Sequence, residues 1–202
     1  MRILPSGTTA LLLEVDELDE VLGLFAALTA DPPPGVVDVV PAARTLLVVT
    51  DPAVTTLTEV AERVRRTEPR PGALRAGDLV EIPVTYDGED LEDIARLLGC
   101  DVTEVVRRHT DVEWTVAFCG FVPGFGYLTS KDWPDQVPRR SSPRTSVPAG
   151  SVGLAGEFSG VYPRASPGGW QLLGRTDLEM FDPTRDPAAV LRPGALIRFV
   201  EA

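Results

Sequence analysis

Between Lys131 and Arg175 the chain carries six basic residues, Lys131, Arg139, Arg140, Arg144, Arg164 and Arg175, against three acidic ones, in a protein of net charge −11. Arg139, Arg140 and Arg144 share a loop punctuated by Pro138, Pro143 and Pro148. An extended loop displays guanidinium forks that suit a carboxylate or a phosphate. Pairing with acidic residues of the same chain is the other reading. Arg175 follows a strand-like run and fits either purpose. In "SPGGW", Gly168 and Gly169 bring main-chain amides beside Trp170, where a ligand could approach closely. Turn geometry accounts for the same pattern. Gln171 adjoins them and can donate and accept at once. Pro123, Gly124 and Phe125, in "FVPGFGYL", would form a facing lip. His109 is the only histidine and ends a predicted helix. It either satisfies terminal carbonyls or works as an acid or base, because a free imidazole titrates near neutrality.

The inventory excludes a good deal. One histidine rules out a multi-histidine metal site or a zinc helix of the His-Glu-x-x-His type, and no protein-bound metal is expected. Lys131 is the only lysine, and "GWQLLGRT" at 169–176 puts Arg175 where a phosphate-binding loop has lysine. Its apolar "WQLL" reads as a strand rather than a flexible phosphate cradle. Ser151, in "AGSVG", is not a nucleophile elbow and is assigned a structural role. The acidic balance argues against nucleic acid as a partner. No apolar run is long enough to span a membrane, and the "ALLL" core near the start is too short for a signal peptide. Two unpaired cysteines, Cys100 and Cys119, fit a reducing cytoplasm.

The elements that must position these residues follow from periodicity. Residues 8–15 read as a strand and 16–30 as an amphipathic helix capped by Asp16. Residues 36–40 and 44–50 follow as strands, then 51–66 as a helix with Pro52 in its first turn. This predicts a small α+β domain over 1–70, with helices on one face of an antiparallel sheet. Residues 67–78, rich in Pro, Gly and charge, read as a linker. From 77 to 202 the pattern predicts a second domain. It opens with a strand at 79–86, two short helices at 89–99 and 101–110, and a buried strand at 113–121. Short extended pieces bounded by Gly or Pro follow, as in an all-β barrel with tight corners. Seventeen Gly or Pro fall within residues 120–175, alongside Phe121, Phe125, Tyr127, Trp133, Tyr162 and Trp170. Disordered segments lack such aromatics, so the glycines are read as bending ordered strands.

The stretches "HTDVEWTVAFCGFVPGFGYL", "VPRRSSPRTSVPAGSVGLAG", "GVYPRASPGGWQLLGRT" and "LRPGALIRFV" resemble, in order and spacing, the B-type component family of bacterial ATP-dependent 5-oxoprolinase. That family is also called allophanate hydrolase subunit 1 or the sporulation kinase inhibitor family. The resemblance is specific over about 79–200. It implies a ferredoxin-like α+β domain followed by a mainly-β, cyclophilin-like barrel of the carboxyltransferase type. It also implies a C-type partner with a related barrel, an A-type subunit, ATP with Mg²⁺, and a small-molecule lactam whose C=O and N–H an amide at Gln171 could read. A histidine at the position of His109 is shared. Other branches of the family imply a protein-binding inhibitor of a sensor histidine kinase, or the carboxyltransferase half of a urea carboxylase or allophanate system. The chain departs from the family pattern at Phe158 and Ser159, where a Gln-Thr pair is usual, and at Trp114, where Tyr is usual. These changes bear on the substrate rather than on the fold.

Overall fold

A computed structural model describes residues 1–70 and 79–202, in two compact units, Met1–Leu74 and Arg75–Ala202. From residue 71 onward, the linker expected at 67–78 lies outside the described residues.

The first unit runs β1 (Arg2–Ser6), β2 (Ala10–Glu14), α1 (Leu18–Ala30), β3 (Val36–Pro41), β4 (Thr45–Thr50) and α2 (Leu57–Arg65). Its four strands form an antiparallel sheet in the order β1-β2-β4-β3. Alternate residues Leu11, Leu13, Leu46 and Val48 meet Val21, Leu24 and Leu28 of α1 and Val60 and Val64 of α2. Period two thus meets period 3.6 across one core. The sequence reading missed β1. Its Pro5 weakens a strand pattern, yet an edge strand tolerates the missing donor. The element order is therefore ββαββα, whereas a ferredoxin-like unit runs βαββαβ. Here the strand beside β2 at the sheet edge comes from the chain ahead of it, not from after α2.

Two helix starts also differ from expectation. Asp51 closes a turn, accepting from Ala53 N–H at 2.9 Å, so α2 begins only at Leu57. There Thr56 and Glu59 form a reciprocal capping box. α1 has Glu17 at its N-cap without a side-chain bond, and Asp16 instead faces Arg44 at 3.5 Å.

The second unit comprises β5 (Leu79–Val84), α3 (Leu91–Leu98), α4 (Val102–Asp111), β6 (Trp114–Cys119), β7 (Gly126–Thr129), β8 (Arg144–Val147), β9 (Ser151–Ala155), β10 (Phe158–Val161), β11 (Ser166–Gly168), β12 (Gln171–Arg175) and β13 (Leu196–Glu201). Seven of these strands form one sheet in the order β12-β9-β10-β7-β6-β13-β5. Within it β13 and β5 run parallel. Thr85, just past β5, and Arg175 of β12 exchange both backbone hydrogen bonds, at 2.8 and 2.9 Å. The sheet therefore returns on itself as a nearly closed mixed barrel. Gly174 permits the closure, since a Cβ there would lie 2.2 Å from the Thr85 carbonyl oxygen. Ile82, Val84, Trp114, Val116, Leu128, Val152, Leu154, Leu173, Ile197 and Phe199 fill the core, joined by Ile94 of α3 and Val105 of α4. β8 and β11 form a separate two-stranded ribbon. Among the described residues no helix is long and apolar enough to cross a membrane.

Candidate active site

The arginine loop, the Gly-Gly-Trp segment and the aromatic lip come together on one side of the second unit, and a carboxylate organises them. The chain leaves β5 and runs along β12. Gly88 N–H donates to the Leu173 carbonyl at 3.0 Å and Asp90 N–H to the Leu172 carbonyl at 3.3 Å. Asp90 stands at the N-cap of α3 but makes no capping bond. Its side chain, 2% exposed, accepts instead from Leu172 N–H at 2.7 Å, from Arg140 at 2.5 Å and from Arg144 at 2.9 Å. Arg144 reaches Glu89 as well, at 3.1 Å. Burial alone would raise the Asp90 carboxyl. Hydrogen bonds from Arg144 and Leu172, with the Arg140 charge, hold it below the usual carboxylate range.

Backbone bonds fix the rest of this loop. Arg140 N–H donates to the Gly169 carbonyl at 2.8 Å, and Gln171 Nε2 donates to the Pro138 carbonyl at 3.2 Å. Arg139 sits between these two anchors, exposed, and makes no ion pair among the described residues. Burial holds the Tyr127 and Tyr162 hydroxyls above their ordinary range, partly offset at Tyr162 by a Trp170 main-chain hydrogen bond and at both by the Arg139 charge.

Below the loop the aromatic residues form their own cluster. Phe125 has the Trp170, Tyr162 and Tyr127 rings at 5.3, 5.3 and 5.1 Å, all edge to face. Phe121 lies over Phe125 at 5.5 Å and is 55% exposed. Its φ of 69° is the only positive value at a non-glycine residue among the described residues. Left-handed backbone at a bulky side chain is costly and clusters at functional sites. Pro123 is exposed beside it, while Gly124 is buried against Phe181. Gly168 lets the Tyr162 hydroxyl in, since a Cβ there would lie 2.3 Å from that oxygen.

Not every expected residue joins this face. Arg175 stands at the other end of β12, paired with Asp87 at 2.9 Å. His109 is fully buried, with Tyr86 Oη 2.7 Å from Nδ1 and Ser159 Oγ 2.9 Å from Nε2. Both ring nitrogens are spent inside the core, and burial lowers its pKa to about 3. An acid or base role there has no access to solvent. Gln171 has its amide donor engaged with Pro138, so it braces the loop. Asp90, Glu89 and Tyr86 were not singled out by the sequence reading, and Ser159 was noted only as a departure from the family pattern. An acidic residue opening a helix looks like an ordinary cap, and nothing local marks arginine partners fifty residues away. Among the described residues no three His, Cys, Asp or Glu side chains converge as metal ligands, and Asp87, Glu89 and Asp90 are each paired with arginine.

The comparisons with known proteins agree with this architecture. The chain is 43% identical over 171 residues to the B component of the 5-oxoprolinase of Escherichia coli O157:H7, a match covering 83% of this chain and 78% of that one. Among solved structures it is similar to TTHA0988, with a TM-score of 0.78 and 36% identity over 96% of this chain. It spans only 40% of the length of TTHA0988. The urea amidolyase of K. lactis shares the fold alone, with a TM-score of 0.77 at 17% identity, over 99% of this chain and 15% of that one. The family described as carboxyltransferase domain, subdomain C and D, matches residues 1–191, and the chain belongs to that family.

Proposed function

We propose that the chain is the B-type component of an ATP-dependent 5-oxoprolinase, which opens 5-oxo-L-proline to L-glutamate together with A-type and C-type subunits. The observation that carries this reading is the 43% identity to the B component of a known 5-oxoprolinase across most of both chains. The lactam amide is resonance-stabilised, so hydrolysis needs a driven step. Transfer of the γ-phosphoryl group of ATP to the amide oxygen leaves ADP and an activated ring carbon. Water then adds to that carbon, and the bond to the ring nitrogen breaks as the nitrogen takes up a proton and leaves as the amine. A second water hydrolyses the resulting acyl phosphate to carboxylate and phosphate. Catalysis of such steps is chiefly positioning and charge stabilisation.

This chain supplies part of that work. Arg139 presents a cation to the substrate carboxylate or the transferring phosphoryl group. Phe121 and Pro123 provide the exposed apolar lip, whereas Phe125 and Trp170, expected as its facing walls, are buried beneath it as support. The carboxylates Asp87, Glu89 and Asp90 are already paired with arginine and do not suit an Mg²⁺ site. A nucleophile, a solvent-reached base and metal ligands must come from the C-type and A-type partners. The test is to purify the chain with those partners and measure ATP-dependent glutamate release from 5-oxoproline. Turnover of urea with bicarbonate, and none of 5-oxoproline, would replace this reading with the urea carboxylase one.

A further inference from the structure

We infer that Asp90 is a positioning residue that engages Arg140 and Arg144 so that Arg139, alone of the three loop arginines, is presented as an anion-binding cation. The inference rests on the proposed 5-oxoprolinase reading for the identity of the anion, a substrate carboxylate or phosphoryl group.

Three arginines within six residues could all reach outward. Two of them turn inward onto one carboxylate that is 2% exposed. A buried carboxylate requires compensation by charge and hydrogen bonds, and Asp90 receives it from Arg140, Arg144 and Leu172 N–H. The pairing fixes the sides of the loop. The residue ahead of Arg139 is held through its carbonyl by Gln171. The residue after it is held through its amide by Gly169 and through its side chain by Asp90. Arg139 is then the only member of the trio without a carboxylate among the described residues. A guanidinium held in this way loses less freedom on binding an anion than one on a loose loop. Asp90 touches no ligand itself. It acts through the geometry of Arg139.

The experiment is a double-mutant cycle in the reconstituted complex with Asp90→Asn, Arg139→Ala and the double variant. Asn keeps the size and one acceptor while removing the charge. Asp90→Asn and Arg139→Ala are each expected to raise KM for 5-oxoproline or ATP on the order of tenfold, the scale of one lost charge-assisted contact, with a smaller change in kcat. The double variant should be no worse than Arg139→Ala alone, because Asp90 then has nothing left to position. An unchanged KM in either single variant, or additive effects in the double, overturns the inference. A parallel measurement does not depend on activity. Trypsin cleavage after Arg139 and Arg140, read by fragment mass, should be faster in Asp90→Asn than in the unaltered chain. Equal rates overturn the inference. Should Asp90→Asn fail to fold, Arg140→Gln removes one clamp, leaves the Asp90–Arg144 pair, and is expected to speed cleavage after Arg139. If the unaltered complex releases no glutamate, the 5-oxoprolinase reading fails, and the cleavage rates still decide whether Asp90 holds the loop.

Discussion

His109 lies stacked on Phe199, with ring centroids 4.3 Å apart and planes 26° from parallel. A charged imidazolium would have no water there, which is why burial depresses its pKa to about 3. In the unfolded chain the same ring takes up a proton near pH ~6.5. Between those values the unfolded state binds more protons, so stability falls as pH drops from about 6.5, by up to about 1.4 kcal/mol per pH unit. This is the only histidine, so the loss between pH ~6.5 and ~5 reports on it with little overlap from carboxylates. Thermal unfolding of His109→Gln should show a lower midpoint at pH 7 and a flatter slope across that window. An unchanged slope would assign the acid sensitivity to other groups.

Arg144 and Arg139 should separate stability from activity. Arg144 is 14% exposed and paired with Asp90. Arg144→Ala leaves a buried carboxylate with fewer partners and is expected to cost about 3 kcal/mol. Arg139→Ala, at an exposed side chain without an ion pair, should stay within about 0.5 kcal/mol of the unaltered chain. Denaturant titration of both variants tests the ordering.

Gly174→Ala strikes the barrel closure. The added methyl would meet the Thr85 carbonyl oxygen at 2.2 Å, so either the Thr85–Arg175 bridge opens or β12 shifts. A loss of about 2 kcal/mol or more is expected, in the range of forced overpacking. Amide exchange should show lost protection at Thr85 and Arg175.

Phe121 holds a left-handed backbone at a half-exposed ring. Phe121→Gly relieves that strain and Phe121→Ala does not, so the glycine variant is expected to be more stable than the alanine one by about 1 kcal/mol. If the lip contacts substrate or a partner barrel, both variants should weaken glutamate release in the complex.

The isolated chain should release no glutamate from 5-oxoproline with ATP, because its only histidine is sealed and its carboxylates near the arginine loop are paired. Addition of the C-type and A-type subunits should restore release. Turnover by the isolated chain at the rate of the full set would contradict this.

Much of the scaffold was legible in the sequence. Val21 and Leu28 recur at helical spacing and both face the core, though Leu24 joins them where Leu22 and Phe25 were expected. The apolar run of "TLLVVT" marked a strand whose alternate burial only the structure shows. The dense glycines and aromatics of 120–175 did mark ordered corners. What escaped was set by partners distant in sequence. The fate of His109 had one local signal, since Val105 four residues earlier puts the ring on the apolar face of α4. Its place at the end of the helix nevertheless led the sequence reading to terminal carbonyls or an acid or base role rather than to the core. The inward turn of Arg140 and Arg144 depends on Asp90 and on β12 lying alongside the Asp87–Asp90 segment. No spacing rule connects residues 90, 140 and 172. β1 was hidden by Pro5, and the first unit's edge strand could be placed only through its register with β2.

The place of β13 has a kinetic consequence. It lies between β6 and β5, and its register pairs Leu196 with Leu79 and Glu201 with Val84. During synthesis β5 emerges first of the barrel strands and waits for its principal neighbour until residues 196–201 have left the ribosome. Until then Ile82 and Val84 have no completed sheet to enter, and the half-made unit exposes an open strand edge. Closure is thus a single late event of long sequence separation, a kind that slows folding. A nascent chain stalled before residue 196 should remain a substrate for chaperones that bind open strands.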